Sequence, residues 1–350
     1  MANADLLLPV DFSPSLPLAV GFSGGADSSA LLLAAHARWP GQVRAWHVNH
    51  GLQAAAPAFE AHCVALCQRH GIDLAVARVH VPKTPGESPE NLARQARGLA
   101  FQHLAGLGAP ATPVFIENSL SVSVFTHLFA IKEEVIPGPM TQLALAHHAD
   151  DQAETVLLAL SRGAGLGGLS AMPAQAQRGL LTLHRPLLGV RAVHIRAWLA
   201  EHGHAWVEDP SNQSDAFTRN RIRHHALPAL EQALPGFTQL AARSAKHAAQ
   251  AQVLLNELAQ IDLQQVGSPP QIKALQALSP HRQANVLRHW LAAQHNTQAS
   301  TAQLAQLQAQ IENCRTRGHG IHIKLGSGFV LRSDAVLAFQ ATASRPRQGD

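Results

Sequence analysis

Apolar residues come along the first half of the chain in short runs of strand length, each followed by a stretch with helical spacing. Residues 16–22 (LPLAVGF), 43–48 (VRAWHV), 74–81 (LAVARVHV) and 142–147 (QLALAH) read as strands. The turn SGGADSS after the first run opens into a helix, and 57–70, 90–105 and 150–160 read as further helices. In 57–70, Ala61, Val64, Ala65 and Cys67 supply much of the apolar stripe. Strands separated by helices of this length imply right-handed crossovers, hence a parallel sheet flanked by helices. The expected fold class is α/β, Rossmann-like.

The pattern changes after residue 190. Segments 193–202, 226–265, 274–293 and 301–313 carry helical spacing rich in Ala, Leu and Gln, punctuated by Pro228, Pro235 and Gly236. Only 321–325 and 329–331, flanking a Gly-Ser-Gly turn, read as a hairpin. The polar stretch 208–220 is the expected boundary, giving a first domain over 1–215 and a smaller, mainly helical one over 216–350. Residues 109–140 are too long for an ordinary connection and carry apolar material of their own, so they read as a folded insertion.

Composition narrows the class. With 46% hydrophobic and 14% charged residues, the 350-residue chain can build a packed core. Three cysteines, Cys63, Cys67 and Cys314, are too few for a disulfide framework or a four-cysteine zinc site. No signal peptide or run of eighteen apolar residues is evident, so a soluble, cytoplasmic protein with no membrane partner is expected. The net charge of +4 is unevenly shared: residues 1–150 sum to −3 and 151–350 to +7. Arginine supplies 22 of the 27 cationic side chains, and its planar fork suits phosphate. The second half therefore hints at a polyanionic partner.

The strongest chemical signal is Ser23-Gly24-Gly25-Ala26-Asp27-Ser28, set between a strand and a helix. Two glycines let backbone N–H groups approach a ligand, the serines add hydroxyls, and the helix presents its positive end, a combination suited to pyrophosphate oxygens. No lysine follows, so this is not the Gly-Lys-Ser/Thr phosphate loop. Asp27 is an anion among phosphate-binding groups; it either orients the loop or holds a Mg2+ that meets the phosphates. Further along, Asp150, Asp151 and Glu154 share one side of a helix beside His147 and His148, an arrangement suited to a cationic substrate and to deprotonating it. The helix ENLARQAR places Arg94 and Arg97 one turn after Glu90. Arg219, Arg221 and Arg223 form the densest basic cluster, fit for phosphates of RNA or of a nucleotide. Cys63 and Cys67, one helical turn apart, read as buried small apolar residues.

The SGGADS loop resembles the signature of the PP-loop ATP pyrophosphatases. HVNHGL (47–52), HHADDQAET (147–155), DPSN (209–212) and FTRNRIR (217–223) together resemble the tRNA(Ile)-lysidine synthase family over nearly the whole chain. That resemblance implies ATP-dependent joining of free lysine to the wobble cytidine of an isoleucine tRNA with a CAU anticodon, through an adenylated cytidine, with ATP and Mg2+ required. It further implies that Ser23 to Ser28 and His50 bind ATP and that Asp27, Asp150 and Arg97 serve catalysis. Asp151, Glu154 and His147 would hold lysine, and Arg94, Arg219, Arg221 and Arg223 would meet tRNA or phosphate. Gly98 departs from the family, which has a tyrosine there, and the 109–140 insertion is a second departure. Homodimerisation is left open, as is a catalytically silent RNA-binding role. A tRNA thiolase is disfavoured by the lack of a C-x-x-C pair, and an amidotransferase-type synthetase by the lack of a glutaminase domain.

Overall fold

A computed structural model describes residues 7–49, 56–80, 89–106, 123–129, 139–316 and 318–342. The chain divides into two compact units, Met1–Ala248 and Ala249–Asp350.

The first unit is built on a sheet of seven described strands. In chain order it runs β1 (Leu18–Gly21), α1 (Ala26–Arg38), β2 (Val43–Asn49), α2 (Ala56–His70), β3 (Asp73–His80), α3 (Pro89–Gly106) and β4 (Ser123–Phe129). There follow β5 (Gln142–Ala144), α4 (Ala149–Ser161), α5 (Leu166–Leu169), β6 (Gln175–Arg178), β7 (Leu181–His184) and α6 (Ala192–Glu201). The strand order is β4-β3-β2-β1-β5-β7-β6. The five central strands pair in parallel, while β4 and β6 run antiparallel at the two edges. This is the expected α/β sheet, with edge strands that the apolar runs did not reveal.

Alternation along the strands divides the core between two faces. Leu18, Val20, Val43, Ala45, Leu74 and Val76 point into one layer with α1, α2 and α6. Ala19, Trp46, Ala75, Ala77 and Leu143 point into the other, against Ala96, Ala100 and Phe101 of α3. The Trp46 and Phe101 rings stack there at 6.2 Å between centroids. The parallel strands are buried on both sides, so they read as continuous apolar runs.

Helical segments continue the first unit past residue 215. A 3-10 turn (Pro210–Gln213), α7 (Thr218–Arg221), a π-helical turn (Ile222–Ala226) and α8 (Leu227–Ala233) precede the long α9 (Phe237–Val266). Leu227 and Ala241 pack on Ala153 of α4. That packing carries the compact unit to Ala248, beyond the polar stretch where sequence placed a boundary.

The second unit holds α10 (Ile272–Gln276), α11 (Pro280–His295), α12 (Thr301–Asn313) and an antiparallel sheet β8 (His322–Leu325), β9 (Gly328–Ser333), β10 (Val336–Ala341). Its core gathers Leu275, Leu287, Trp290, Leu307, Ile323 and Val330. The expected hairpin is present, and a third strand joins it. The expected helix 274–293 is two, because Pro280 starts α11 anew.

Part of the 109–140 insertion is described: β4 extends the sheet beyond β3. Its other residues between 109 and 138, like His50, lie outside the described residues.

Candidate active site

The loop between β1 and α1 is shaped by its own short side chains. The Ser23 N–H donates to Ser28 Oγ at 3.1 Å, and Ser28 Oγ donates to the Gly25 carbonyl at 3.1 Å. Ser29 Oγ donates to the Gly24 carbonyl at 3.4 Å. Gly24 has φ +87°, and a Cβ there would meet Cys63 Sγ at 3.2 Å, so both conformation and packing demand glycine. Gly25 caps α1 without a side-chain hydrogen bond. The first backbone donors of α1, at Ala26, Asp27 and Ser28, thus face outward as an anion cradle. Behind the loop, burial pushes the Cys63 thiol far up, and the Cys67 thiol to about 12, which keeps both protonated and inert. His47 is neutral, its basicity lowered by burial, and its Nδ1–H donates to the Phe22 carbonyl at 2.8 Å.

A second constellation opens α4. His148 is its N-cap: Nδ1 accepts from the Asp151 N–H at 3.4 Å, and Asp151 Oδ2 accepts from the His148 N–H at 3.1 Å. The same imidazole reaches the loop, its Nε2 standing 3.6 Å from Asp27 and 3.5 Å from Asp151. Burial disfavours the His148 cation, but Asp27, Asp151 and Asp150 outweigh it and raise the pKa. Protonation trades the capping bond, which needs the Nδ1 lone pair, for attraction to these three carboxylates.

Glu154, one turn further, is fully buried. Arg223 Nε donates to its Oε1 at 2.6 Å, and Arg219 Nε lies 3.0 Å from its Oε2. Arg223 Nη2 also donates to Asp151 Oδ1 at 3.1 Å, and Arg219 Nη2 to Thr155 Oγ1 at 3.0 Å. Desolvation still raises the Glu154 pKa against both arginines, favouring a proton acceptor more basic than a surface carboxylate. His147, the neighbour of His148, has its pKa lowered to about 4 by burial and by Arg185, Arg219 and Arg97, against Asp151. Its Nδ1 is buried with no hydrogen-bond partner among the described residues.

Comparisons with known proteins give the family. The chain matches the PP-loop domain family over residues 5–109 and 129–230, and the TilS substrate binding domain family over 271–335. A tRNA(Ile)-lysidine synthase of Polaromonas naphthalenivorans is 50% identical over 95% of this chain and 92% of its own length. The chain belongs to the tRNA(Ile)-lysidine synthase family. It is also 41% identical to the Pseudomonas putida tRNA(Ile)-lysidine synthase over 78% of this chain, spanning 59% of that longer relative. Among solved structures, a U34-tRNA thiolase from Methanococcus maripaludis shares the fold at TM-score 0.51 and 17% identity, over 70% of this chain and 75% of its own.

Within this lysidine synthase relative, the expected site residues separate. Ser23 to Ser28, Asp27, His147, Asp151, Glu154, Arg219 and Arg223 converge around the loop and the start of α4. Arg221 turns away: two residues from its neighbours on a helix, it donates to the Asp215 and Ala216 carbonyls. Asp150 faces α6, accepting from Arg191 Nε at 3.1 Å and the Ala192 N–H at 2.8 Å. Arg191 also binds Glu231 at 2.6 Å, so Asp150 ties three helical segments together. Arg94 and Arg97 lie on α3, exposed. The side chain of Glu90 lies outside the described residues. Two contributors escaped sequence reading. Arg191 carried no motif signal, and the Val207 N–H donates to the Gly24 carbonyl at 3.0 Å, docking the strip before DPSN on the loop.

Proposed function

We propose that the protein joins lysine to the wobble cytidine of a CAU-anticodon isoleucine tRNA in the cytoplasm, consuming ATP and releasing AMP and pyrophosphate. The carrying observation is that His148 links the phosphate-cradling loop, through Asp27, to the acids of α4 within 3.6 Å. An uncapped helix end able to hold a triphosphate thus adjoins carboxylates able to hold an ammonium group.

In this reading the cytidine 2-carbonyl oxygen attacks the α-phosphate held at the loop and expels pyrophosphate. The lysine ε-amine then displaces AMP at the same carbon. Asp151 and Glu154 take the ammonium group, and Glu154, with its raised pKa, accepts the proton that frees the amine. Arg219 and Arg223 hold these acids oriented before lysine arrives. Asp27 is the one carboxylate of the loop and would hold a Mg2+, whose charge would offset that of the phosphates; the donor type fits magnesium. Asp150 enters as the residue that fixes the start of α4 against α6.

Incubation with labelled lysine, ATP and the CAU isoleucine tRNA tests the proposal by label entering RNA. Binding of tRNA with no incorporation at saturating lysine points to a silent RNA-binding protein, and sulfur transfer points to a thiolase. The buried, protonated Cys63 and Cys67 argue against the latter. Asp27→Ala is expected to abolish AMP formation while tRNA affinity stays near that of the parent. Unchanged turnover removes Asp27 from the site.

A further inference from the structure

The face of the sheet opposite the loop carries a cationic group that the reaction above does not use. The β6–β7 hairpin lies on α3: a Cβ on Gly179 would meet Gln102 Nε2 at 3.4 Å, and one on Gly98 would meet Arg178 Nη1 at 3.6 Å. The Arg178 side chain therefore runs one helical turn along α3 and places its guanidinium beside Gly98. Arg94 follows one turn further on the same stripe, since positions 94, 98 and 102 share a helix side. Arg185, at the end of β7, completes the group. Its Nη1 donates to the Pro173 carbonyl at 2.7 Å, and its Nε is buried without a partner among the described residues.

None of Arg94, Arg178 and Arg185 forms an ion pair among the described residues. Beyond burial, the influences that lower the Arg185 pKa are cationic, Arg178 and Arg94. Like charges gathered with no ion-pair partner among the described residues repel one another, and an anion brought between them relieves that repulsion. The position says which anion. Phosphates of the nucleotide belong to the loop, whose helix α1 packs on one face of the sheet, whereas α3 and the hairpin residues Leu181 and Leu183 pack on the other. Near the sheet's carboxyl edge, His148 faces the loop acid Asp27, while its neighbour His147 feels Arg185 and Arg97.

We infer that Arg178, Arg185 and Arg94 form a binding site for an RNA phosphodiester, anchoring the substrate backbone beside the reacting base. This rests on tRNA being the substrate and adds an anchoring contact beside Gly98, where Arg178 Nη1 stands 3.6 Å from the position a Cβ would take.

Filter binding of the full chain to the CAU isoleucine tRNA transcript, between 50 and 200 mM salt, tests it. Arg178→Ala should weaken binding about fivefold at low salt and reduce the slope of log affinity against log salt by about 0.7–0.9, one phosphate contact. Gly98→Tyr should displace the guanidinium and weaken binding similarly in the parent, yet add nothing in the Arg178→Ala background. Unchanged affinity and slope in Arg178→Ala overturn the inference. So does a higher ATP requirement, or weaker inhibition by inorganic pyrophosphate, with tRNA binding intact, since the anion is then nucleotide-derived. If the parent incorporates no lysine but its tRNA binding still depends on Arg178, the proposed reaction fails and the phosphodiester site stands.

Discussion

Helices α1 and α4 both begin at the carboxyl edge of the sheet, and their first turns are finished in opposite ways. Gly25 leaves the α1 donors without a side-chain cap, whereas α4 is closed twice over by His148 and Asp151. An open positive end invites a foreign anion. A closed end that also carries Asp151 and a buried Glu154 has its anions built in, and cations, Arg219 and Arg223, already meet them. One site made of backbone and one made of charged side chains thus stand side by side, bridged by one imidazole. In the proposed reaction, that contrast keeps a triphosphate and an amino acid apart before they meet a common base.

The comparison breaks most sharply at the backbone site. Gly24→Ala forces a Cβ into left-handed backbone and toward Cys63, and should lower ATP-dependent AMP release by about 100-fold, read by single-turnover assay. At the side-chain site, Asp151→Asn with Glu154→Gln should raise the lysine KM by about tenfold or more and shift the ATP KM far less. Equal effects on both would erase the division between the two ends. Arg223→Ala removes the partner of two carboxylates, one of them fully buried, and should cost about 2 kcal/mol in urea unfolding.

The two histidines offer a subtler test, because their titrations act in opposite directions. The raised pKa of His148 gives stability that is present below its ordinary value near 6.5 and fades as pH rises through the folded value. His147, lowered to about 4, gives stability present above 6.5 that is lost as pH falls toward 4. Thermal melts across pH 4–9 should show His148→Gln flattening the alkaline side and His147→Gln the acidic side. Smallest of all, Arg221→Ala should change stability by less than about 0.5 kcal/mol, since its partners are exposed loop carbonyls.

How much was legible in advance follows the same division. The loop could be read directly because a backbone site writes itself into contiguous residues: glycine where φ is positive, serine where a hydroxyl must fold back. The central strands were legible because burial on both faces leaves unbroken apolar runs. By contrast, β6 and β7 are four residues each, and β6 is largely exposed, so no run or alternation announces them. The acids of α4 and the arginines Arg219 and Arg223 could each be found, but not their pairing, because Arg223 meets Glu154 across 69 positions of chain. The apparent unity of Arg219, Arg221 and Arg223 dissolved on a helix, where alternate residues face different ways. Asp150 looked like its neighbours in sequence and differs from them through Arg191 and the Ala192 N–H, 41 and 42 residues away.

The outer position of β4 has a consequence for how such a protein tolerates change. Three strand spacings, about 14 Å at roughly 4.8 Å each, separate it from β1. A strand added beyond β3 therefore lies at the rim, away from the loop that follows β1. Change at that margin leaves the pairing of the central strands, and so the footing of the loop, as it is.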